Sequence, residues 1–253
     1  MGETLNAFVK RTRLERAVSL MIRSEGRALT EIALDCGFNS SSDFSRCFRL
    51  HYDVAPSRFD AEELRRERRG ELLDLMERAG ASAMAERLAP GANPDGFKVR
   101  LKNLPARTVA YRRVLDPYRG TAVVDAAAEL VEWAKARGLA DGRWYGYMWE
   151  DPDVVALSDC RYDVAVELPP DGELPLPMDA EVGRHEFPPM QVAEIQLAGD
   201  IHLEIRALDW IFGTWLPKSG RLPAELPCFE AWSARPFAHG LEHFELTVQL
   251  PLR

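Results

Sequence analysis

Two short stretches of the chain place chemistry-bearing side chains at every second position. In one, Tyr145, Tyr147 and Trp149 alternate; in the other, Cys228, Glu230 and Trp232 do so. Extended backbone sends alternate side chains to the same side, so each triplet would share one face of its strand. The first triplet offers two tyrosines and a tryptophan, whereas the second has a carboxylate in its middle. An acid among aromatic rings suits a cationic guest: the carboxylate supplies charge, and each ring face attracts a cation by roughly 0.5–2 kcal/mol. Tyr111 and Trp210 are further candidates for the wall of such a site, while Trp215 reads as helix core beside Leu208, Ile211 and Phe212. A different chemistry gathers near the N-terminus. Ser41, Ser42, Ser45, Arg46 and Arg49 fall on one side of a helical pattern whose other side carries Phe44 and Phe48. Short hydroxyls and guanidinium groups are the types that bond base edges and phosphates in the major groove, with Asp43 an unwelcome charge among them.

Other chemistries find little support. Cys36, Cys47, Cys160 and Cys228 have no C-x-x-C spacing and read as small buried apolar residues. His239 and His243 have the spacing of a helical metal pair, but Pro236 and Gly240 put them in a loop, so neither a metal nor a cofactor is expected. There is no phosphate loop and no nucleophile–base pair. No apolar run approaches the roughly 20 residues of a membrane span, and Met1 to Lys10 lacks a signal-peptide pattern. The expectation is a cytoplasmic protein without a membrane partner. A composition of 46% hydrophobic and 28% charged residues excludes disorder and collagen, and 253 residues are long for one core, so two domains are expected. The net charge of −8 is uneven: residues 1–70 carry +2 and the remainder −10. That asymmetry suits a small nucleic-acid-binding piece attached to an acidic module.

The elements that must hold the serine–arginine face follow from periodicity. Residues 4–24 read as a helix through Leu5, Phe8, Val9, Leu14, Ala17, Val18 and Met21. Leu29–Cys36 is a short amphipathic helix closed by Gly37. A tight turn follows at Phe38-Asn39-Ser40, and a second helix begins with serines available as its cap. Helix, glycine turn, helix is a helix-turn-helix. The run from Arg13 to Phe59, with Arg-Leu-Glu-Arg-Ala, Ile32-Ala33-x3-Gly37-Phe38, Phe44-Ser45-Arg46-x-Phe48 and Pro56-x2-Phe59, resembles the second half of an AraC/XylS-type DNA-binding domain. The resemblance implies promoter DNA as a partner. It also implies a first helix-turn-helix unit that this sequence lacks. Gly2-Glu3-Thr4-Leu5 resembles the point just after that unit, so the expectation is a shortened chain or a start upstream. One unit reads only a few base pairs, so DNA binding should be weak unless the chain forms a homodimer.

From Ala61 to Leu88 a charged helix grades into an amphipathic one through Leu72, Leu73, Leu75, Met76 and Met84, and the breakers of Ala89–Gly96 mark a boundary. The expected domains are 1–60, a helix-turn-helix segment; 61–96, a helical linker; and 97–253. In the last, the order strand, helix, strand, strand occurs twice. Val109 and Val192, Ala110 and Ala193, and Trp149 and Trp232 are each 83 apart. A duplicated βαββ unit gives an α+β fold with one antiparallel sheet, two helices on one face and a groove on the other. The same offset sets Glu230 against Tyr147, so the groove would be walled by aromatics with a single acid at its centre.

This region carries its own resemblance. Asp116-Pro-Tyr118, Tyr145-x-Tyr147-x3-Asp151-Pro152, Trp215-Leu216-Pro217-x-Ser219-Gly220, Phe229-Glu230 and Leu250-Pro251-Leu252 are similar to the GyrI-like effector-binding domain. The likeness implies that Glu230 contacts bound ligand; Asp116 replaces the family's glycine. The reading is a ligand-responsive transcription regulator that takes a lipophilic, cationic small-molecule effector through Glu230, Trp232, Tyr147, Trp149, Tyr111 and Trp210, and that is not an enzyme. The rivals are a hydrolase of strained electrophilic natural products, with Glu230 activating water, and a drug-sequestering protein with no DNA function.

Overall fold

A computed structural model describes residues 3–23, 26–78, 88–89, 91–169, 181–240 and 242–253. The expected helical position of Met84 lies outside them. The chain divides into two compact units: 1–74 with 151–156, and 75–150 with 157–253.

The first unit begins with α1 (Leu5–Arg23), α2 (Leu29–Asp35) and α3 (Ser41–Tyr52), followed by a 3-10 turn at Pro56–Arg58 and α4 (Ala61–Arg78), whose last residues fall in the second unit. Leu14, Ala17 and Val18 of α1 are buried, as are Ile32 and Ala33 of α2 and Phe44, Cys47 and Phe48 of α3. The expected α1 pattern misplaces Leu5, which is 79% exposed, because the helix begins there, ahead of its buried stripe. Gly37, at a φ of +78°, turns the chain after α2, where the Phe38 N–H bonds the Ala33 carbonyl. A β-carbon at that φ is strained, which is why glycine stands there. Phe38, Phe44, Phe48 and Phe59 then meet edge to face at centroid distances of 5.0–5.3 Å, a geometry that adds to their area burial. In the same unit Asp153 accepts hydrogen bonds from Arg65 and Arg69 of α4, the latter at 2.8 and 2.9 Å.

The second unit runs β1 (Arg100–Leu104), β2 (Arg107–Leu115), α5 (Ala122–Lys135), β3 (Trp144–Met148), β4 (Arg161–Glu167), β5 (Gly183–Phe187), β6 (Met190–Gly199), α6 (Ile201–Trp210), a π-helical turn (Ile211–Trp215), α7 (Leu216–Ser219), β7 (Cys228–Trp232) and β8 (Phe244–Leu252). The eight strands make one antiparallel sheet in the order β1-β6-β8-β7-β3-β4-β2-β5. The duplicated βαββ pattern is present, with one strand more in each copy than periodicity foretold. Each copy lends its first strand to the other: β1 pairs with β6, and β5 with β2. Arg100–Leu104 and Gly183–Phe187 are themselves 83 apart.

Two clusters pack helices onto one face. Ala126, Ala127, Leu130 and Ala134 of α5 cover Ala110, Val114, Trp144, Val164 and Val166. Ala207, Trp210 and Ile211 cover Ala193, Ile195, Leu246 and Val248. The opposite face carries Val109, Tyr145, Tyr147, Ala165, Phe187, Met190, Val192 and Phe229. At about 25 cal/mol per Å² of apolar surface buried, these layers supply most of the drive to fold.

Register decides which side chains share a face. In the first two strands of each copy the offset of 83 holds, since Val109 and Val192 lie on one face and Ala110 and Ala193 on the other. In the last two it becomes 84. Gly146 pairs with Val164 as Glu230 pairs with Val248, and Met148 with Tyr162 as Trp232 with Leu246. The added residue falls between β6 and β7, the interval that holds the π-helical turn, and a π-turn is how a helix absorbs one extra residue. A shift of one in a strand exchanges its faces. Glu230 therefore corresponds to Gly146, not Tyr147, and it lies on the helix-covered face.

Candidate ligand site and the exposed face of the third helix

Gly146 and Glu230 are also direct partners in the β3–β7 ladder, so the pseudo-twofold axis of the duplication passes between them and Glu230 stands at the centre of the sheet. On the helix side of this point Glu230 is 6% exposed. Tyr162 of β4 donates its hydroxyl hydrogen bond to Glu230 Oε2 at 2.7 Å, and the Trp232 side chain lies beside the same carboxylate. From α6 comes Glu204, also 6% exposed, whose carboxyl lies beside that of Glu230. Gly146 leaves room for this cluster, because a β-carbon there would lie 1.8 Å from the Tyr162 hydroxyl oxygen and 2.8 Å from Glu230 Oε2. Among the described residues neither carboxyl has an ion-pair partner.

Burial sets the electrostatics. Loss of solvent disfavours the charged form and pushes Glu230 up to about 7, against the pull of the hydrogen bonds from Tyr162, Glu204 and Trp232. Glu204 is raised well above the carboxylate range, first by burial and then by the neighbouring Glu230. Burial likewise raises the Tyr162 hydroxyl. Burial thus pushes both carboxyls towards the protonated form, and among the described residues no cation stands beside either of them.

The six expected wall residues divide between the faces. Glu230, Trp232 and Trp210 lie on the helix side, where Trp232 meets Phe237 and Phe244 at 5.2 and 5.7 Å and Trp210 packs on Phe97 at 5.9 Å within the core. Tyr111, Tyr147 and Trp149 lie on the opposite face. There the expected groove with one central acid is replaced by a resident cation. Arg107, 8% exposed, sits 4.4 Å from the Phe229 ring, 4.7 Å from Tyr145 and 5.4 Å from Phe187, and its Nε–H donates to the Tyr147 hydroxyl at 3.1 Å. The Trp149 indole donates to Asp163 at 2.7 Å, and Asp163 holds Arg113 at 2.8 and 2.7 Å, with Arg113 5.2 Å over Tyr111. The protein's own arginines occupy these rings. Sequence reasoning missed Glu204, although a signal was present: it precedes Ala207 and Ile211 by three and seven residues and so shares the buried stripe of its helix.

In the first unit α3 presents the expected polar face. Ser41, Ser42, Arg46 and Arg49 are exposed, and Ser45 is half-buried beside the core residues Phe44 and Phe48. The cap is Ser40, whose hydroxyl accepts the Asp43 N–H at 3.1 Å. Asp43 is at home there, since a carboxylate in the first turn faces the positive end of the helix dipole, and it pairs with Arg46 at 2.8 Å. Among the described residues no group of three or more metal-ligating side chains forms, and no helix is long and apolar enough to cross a membrane.

A helical unit with an exposed serine–arginine helix is joined in one chain to a duplicated βαββ sheet with an acid at its axis, the outline of a helix-turn-helix segment followed by a small-molecule-binding module. Residues 97–253 match the GyrI-like small molecule binding domain, and the chain belongs to that family. Residues 1–62 match a helix-turn-helix domain. The N-terminal part is similar to the probable transcriptional regulator LumQ of Photobacterium leiognathi, at 39% identity over 59 residues, 23% of either chain. This chain therefore spans under a quarter of that relative's length. The C-terminal part is similar to the DNA gyrase inhibitor of Edwardsiella piscicida, at 28% identity over 162 residues, 60% of this chain and 97% of the relative. The fold is shared with EcmrR in its complex with DNA, at a TM-score of 0.50 and 13% identity, over 99% of this chain and 84% of that one.

Proposed function

We propose that the chain is a ligand-responsive DNA-binding transcription regulator whose effector is a lipophilic cation received by Glu230. The observation that carries this reading is a carboxylate at the axis of a small-molecule-binding domain, buried without a counter-ion among the described residues and flanked by the Trp232 and Tyr162 rings. A buried charge without a partner is costly, and an arriving cation relieves that cost. The effector face is the helix-covered one, with Glu230 as the anion, Trp232 as a ring face and Trp210 at the margin. Tyr111, Tyr147 and Trp149 support the sheet from behind, their rings engaged with Arg107, Arg113 and Asp163. DNA is contacted by Ser41, Ser42, Ser45, Arg46 and Arg49 of α3. The domain boundaries that fit this division are 1–60, 61–96 and 97–253. Its setting is the cytoplasm, where it acts without a cofactor.

The test is titration of a fluorescent lipophilic cation, rhodamine 6G, with the chain and with its Glu230→Gln variant. The variant should bind at least about tenfold more weakly, or about 1.4 kcal/mol. Equal affinities would remove Glu230 as the charge partner. Mass spectrometry of the recovered cation should return it unchanged; Glu230-dependent turnover of a cyclopropane-bearing electrophile would establish a hydrolase instead.

A further inference from the structure

The duplication supplies an internal comparison. Residues 149–160 join β3 to β4 in the first copy, and residues 233–243 join β7 to β8 in the second. The second connection packs on its own sheet, where Phe237 meets Trp232 at 5.2 Å and Arg235 donates to the Ala140 carbonyl at 3.3 Å. The first does not. Residues 151–156 group with the first unit, while β3 and β4 on either side of them belong to the second. Val154 and Val155 are each 4% exposed, yet neither joins the apolar layers of the sheet. Asp153, 3% exposed, forms a fork–fork pair with Arg69, whose Nε and Nη2 donate to Oδ1 and Oδ2 at 2.8 and 2.9 Å, and the Arg65 Nε–H adds a bond to Oδ2 at 3.2 Å. Such a pair fixes direction as well as distance.

The root of this segment adjoins the candidate ligand site. Glu150 accepts the Arg161 backbone N–H at 2.7 Å and the Arg161 Nε–H at 2.8 Å, and the next residue, Tyr162, donates to Glu230. Within the first unit, α4 is preceded by Phe59, whose ring stands 5.0 Å from that of Phe48 in α3. We propose that residues 151–156 are a strap that carries occupancy of the Glu230 site to the helix-turn-helix, with Asp153, Arg65 and Arg69 as the positioning residues that fasten it to α4. A cation at Glu230 competes for the carboxylate that Tyr162 bonds. Tyr162 moves with Arg161 and Glu150, and the strap passes that movement on because two guanidinium groups hold its tip. The inference rests on the reading that Glu230 receives a cation.

The experiment measures coupling in the full chain. The DNA probe is a fluorescein-labelled duplex that the chain selects from a random-sequence pool, and the cation is rhodamine 6G. In the parent, saturating cation should shift the duplex affinity by roughly 5- to 150-fold, the range of typical couplings. In Asp153→Asn, and in Arg69→Lys, which keeps the charge and loses the fork, each affinity measured alone should stay within about twofold of the parent, while the shift falls to about twofold or less. A merely structural clasp would do the opposite: the melting temperature would fall, the shift would keep the parent's value, and the inference would be overturned. Because Asp153→Asn removes the anion from between two largely buried guanidinium groups and can unfold the unit, hydrogen exchange of the parent gives a measure that needs no variant. Saturating cation should change exchange at the amides of 61–74 and 151–156 by about threefold or more; unchanged amides there would overturn the inference. A parent whose bound cation leaves the duplex affinity unaltered would also overturn it, with the cation reading left in place. Failure of rhodamine 6G to bind, or binding indifferent to Glu230→Gln, would overturn that reading and the inference with it.

Discussion

Glu230 shows what one position can ask of its neighbours. A carboxyl group raised from the ordinary 4.5 to about 7 makes the folded chain bind more protons than the unfolded chain between those values. By linkage, stability contributed at low pH is then lost as pH rises through that window, and it stays lost above it. Unfolding by urea at pH 5 and pH 8 should show the second unit weaker at pH 8, and Glu230→Gln should remove about 2 kcal/mol or more of that difference at about 1.4 kcal/mol per pH unit. A variant whose pH dependence matches the parent would show that Glu230 is ionised at little cost. Gly146 makes the complementary demand. Gly146→Ala drives a methyl group to within 1.8 Å of the Tyr162 hydroxyl oxygen, so thermal melting should reveal a loss of about 1–3 kcal/mol, the usual cost of overpacking, together with weakened cation binding.

At the scale of elements, α3 is the segment whose surface departs most from what packing needs. Its buried side is satisfied by Phe44, Cys47 and Phe48, and its start by the Ser40 cap. The exposed Ser41, Ser42, Arg46 and Arg49 take no part in this packing, and Arg46 engages Asp43 of the same helix. Arg46→Ala should cost about 1–3 kcal/mol of specific DNA affinity with little change in melting temperature, because its present partner is Asp43 in an exposed ion pair worth well under 1 kcal/mol. Ser40→Ala should do the reverse, costing about 1 kcal/mol of stability through the lost cap. Gel shifts alongside melting curves separate the two. If Arg46→Ala lowers stability and spares DNA binding, α3 is a packing helix.

For the whole molecule, a helix-turn-helix domain and a small-molecule-binding domain in one chain raise the question of coupling. If a cation binds the second unit and shifts DNA affinity, the shift is reciprocal, and such couplings typically amount to about 1–3 kcal/mol. Operator affinity measured with and without saturating rhodamine 6G should change by roughly 5- to 150-fold, and the cation's affinity should change by the same factor when DNA is present. Glu230→Gln should abolish both changes. DNA binding that ignores a bound cation would make the second unit a sequestering module.

Much of this was legible in the sequence because it depends on local rules. The glycine turn between α2 and α3 and the buried Phe44–Phe48 face follow from spacing alone, and so does the repeat of strand, helix and strands. Two things were decided by tertiary structure. The strands β1 and β5 have five residues each; β1 is mostly exposed, and β5 reads Gly-Arg-His-Glu before Phe187, so neither carries an apolar–polar alternation in its sequence; they exist because each pairs with the other copy's second strand. The composition of the site was the other. A sequence repeat counts residues, whereas a sheet assigns faces by pairing, and the residue added between β6 and β7 carried Glu230 away from Tyr147 to the side of Tyr162 and Glu204. Residue types specified that an acid and aromatic rings were available; only the register of the ladder and the packing of α6 determined which of them meet.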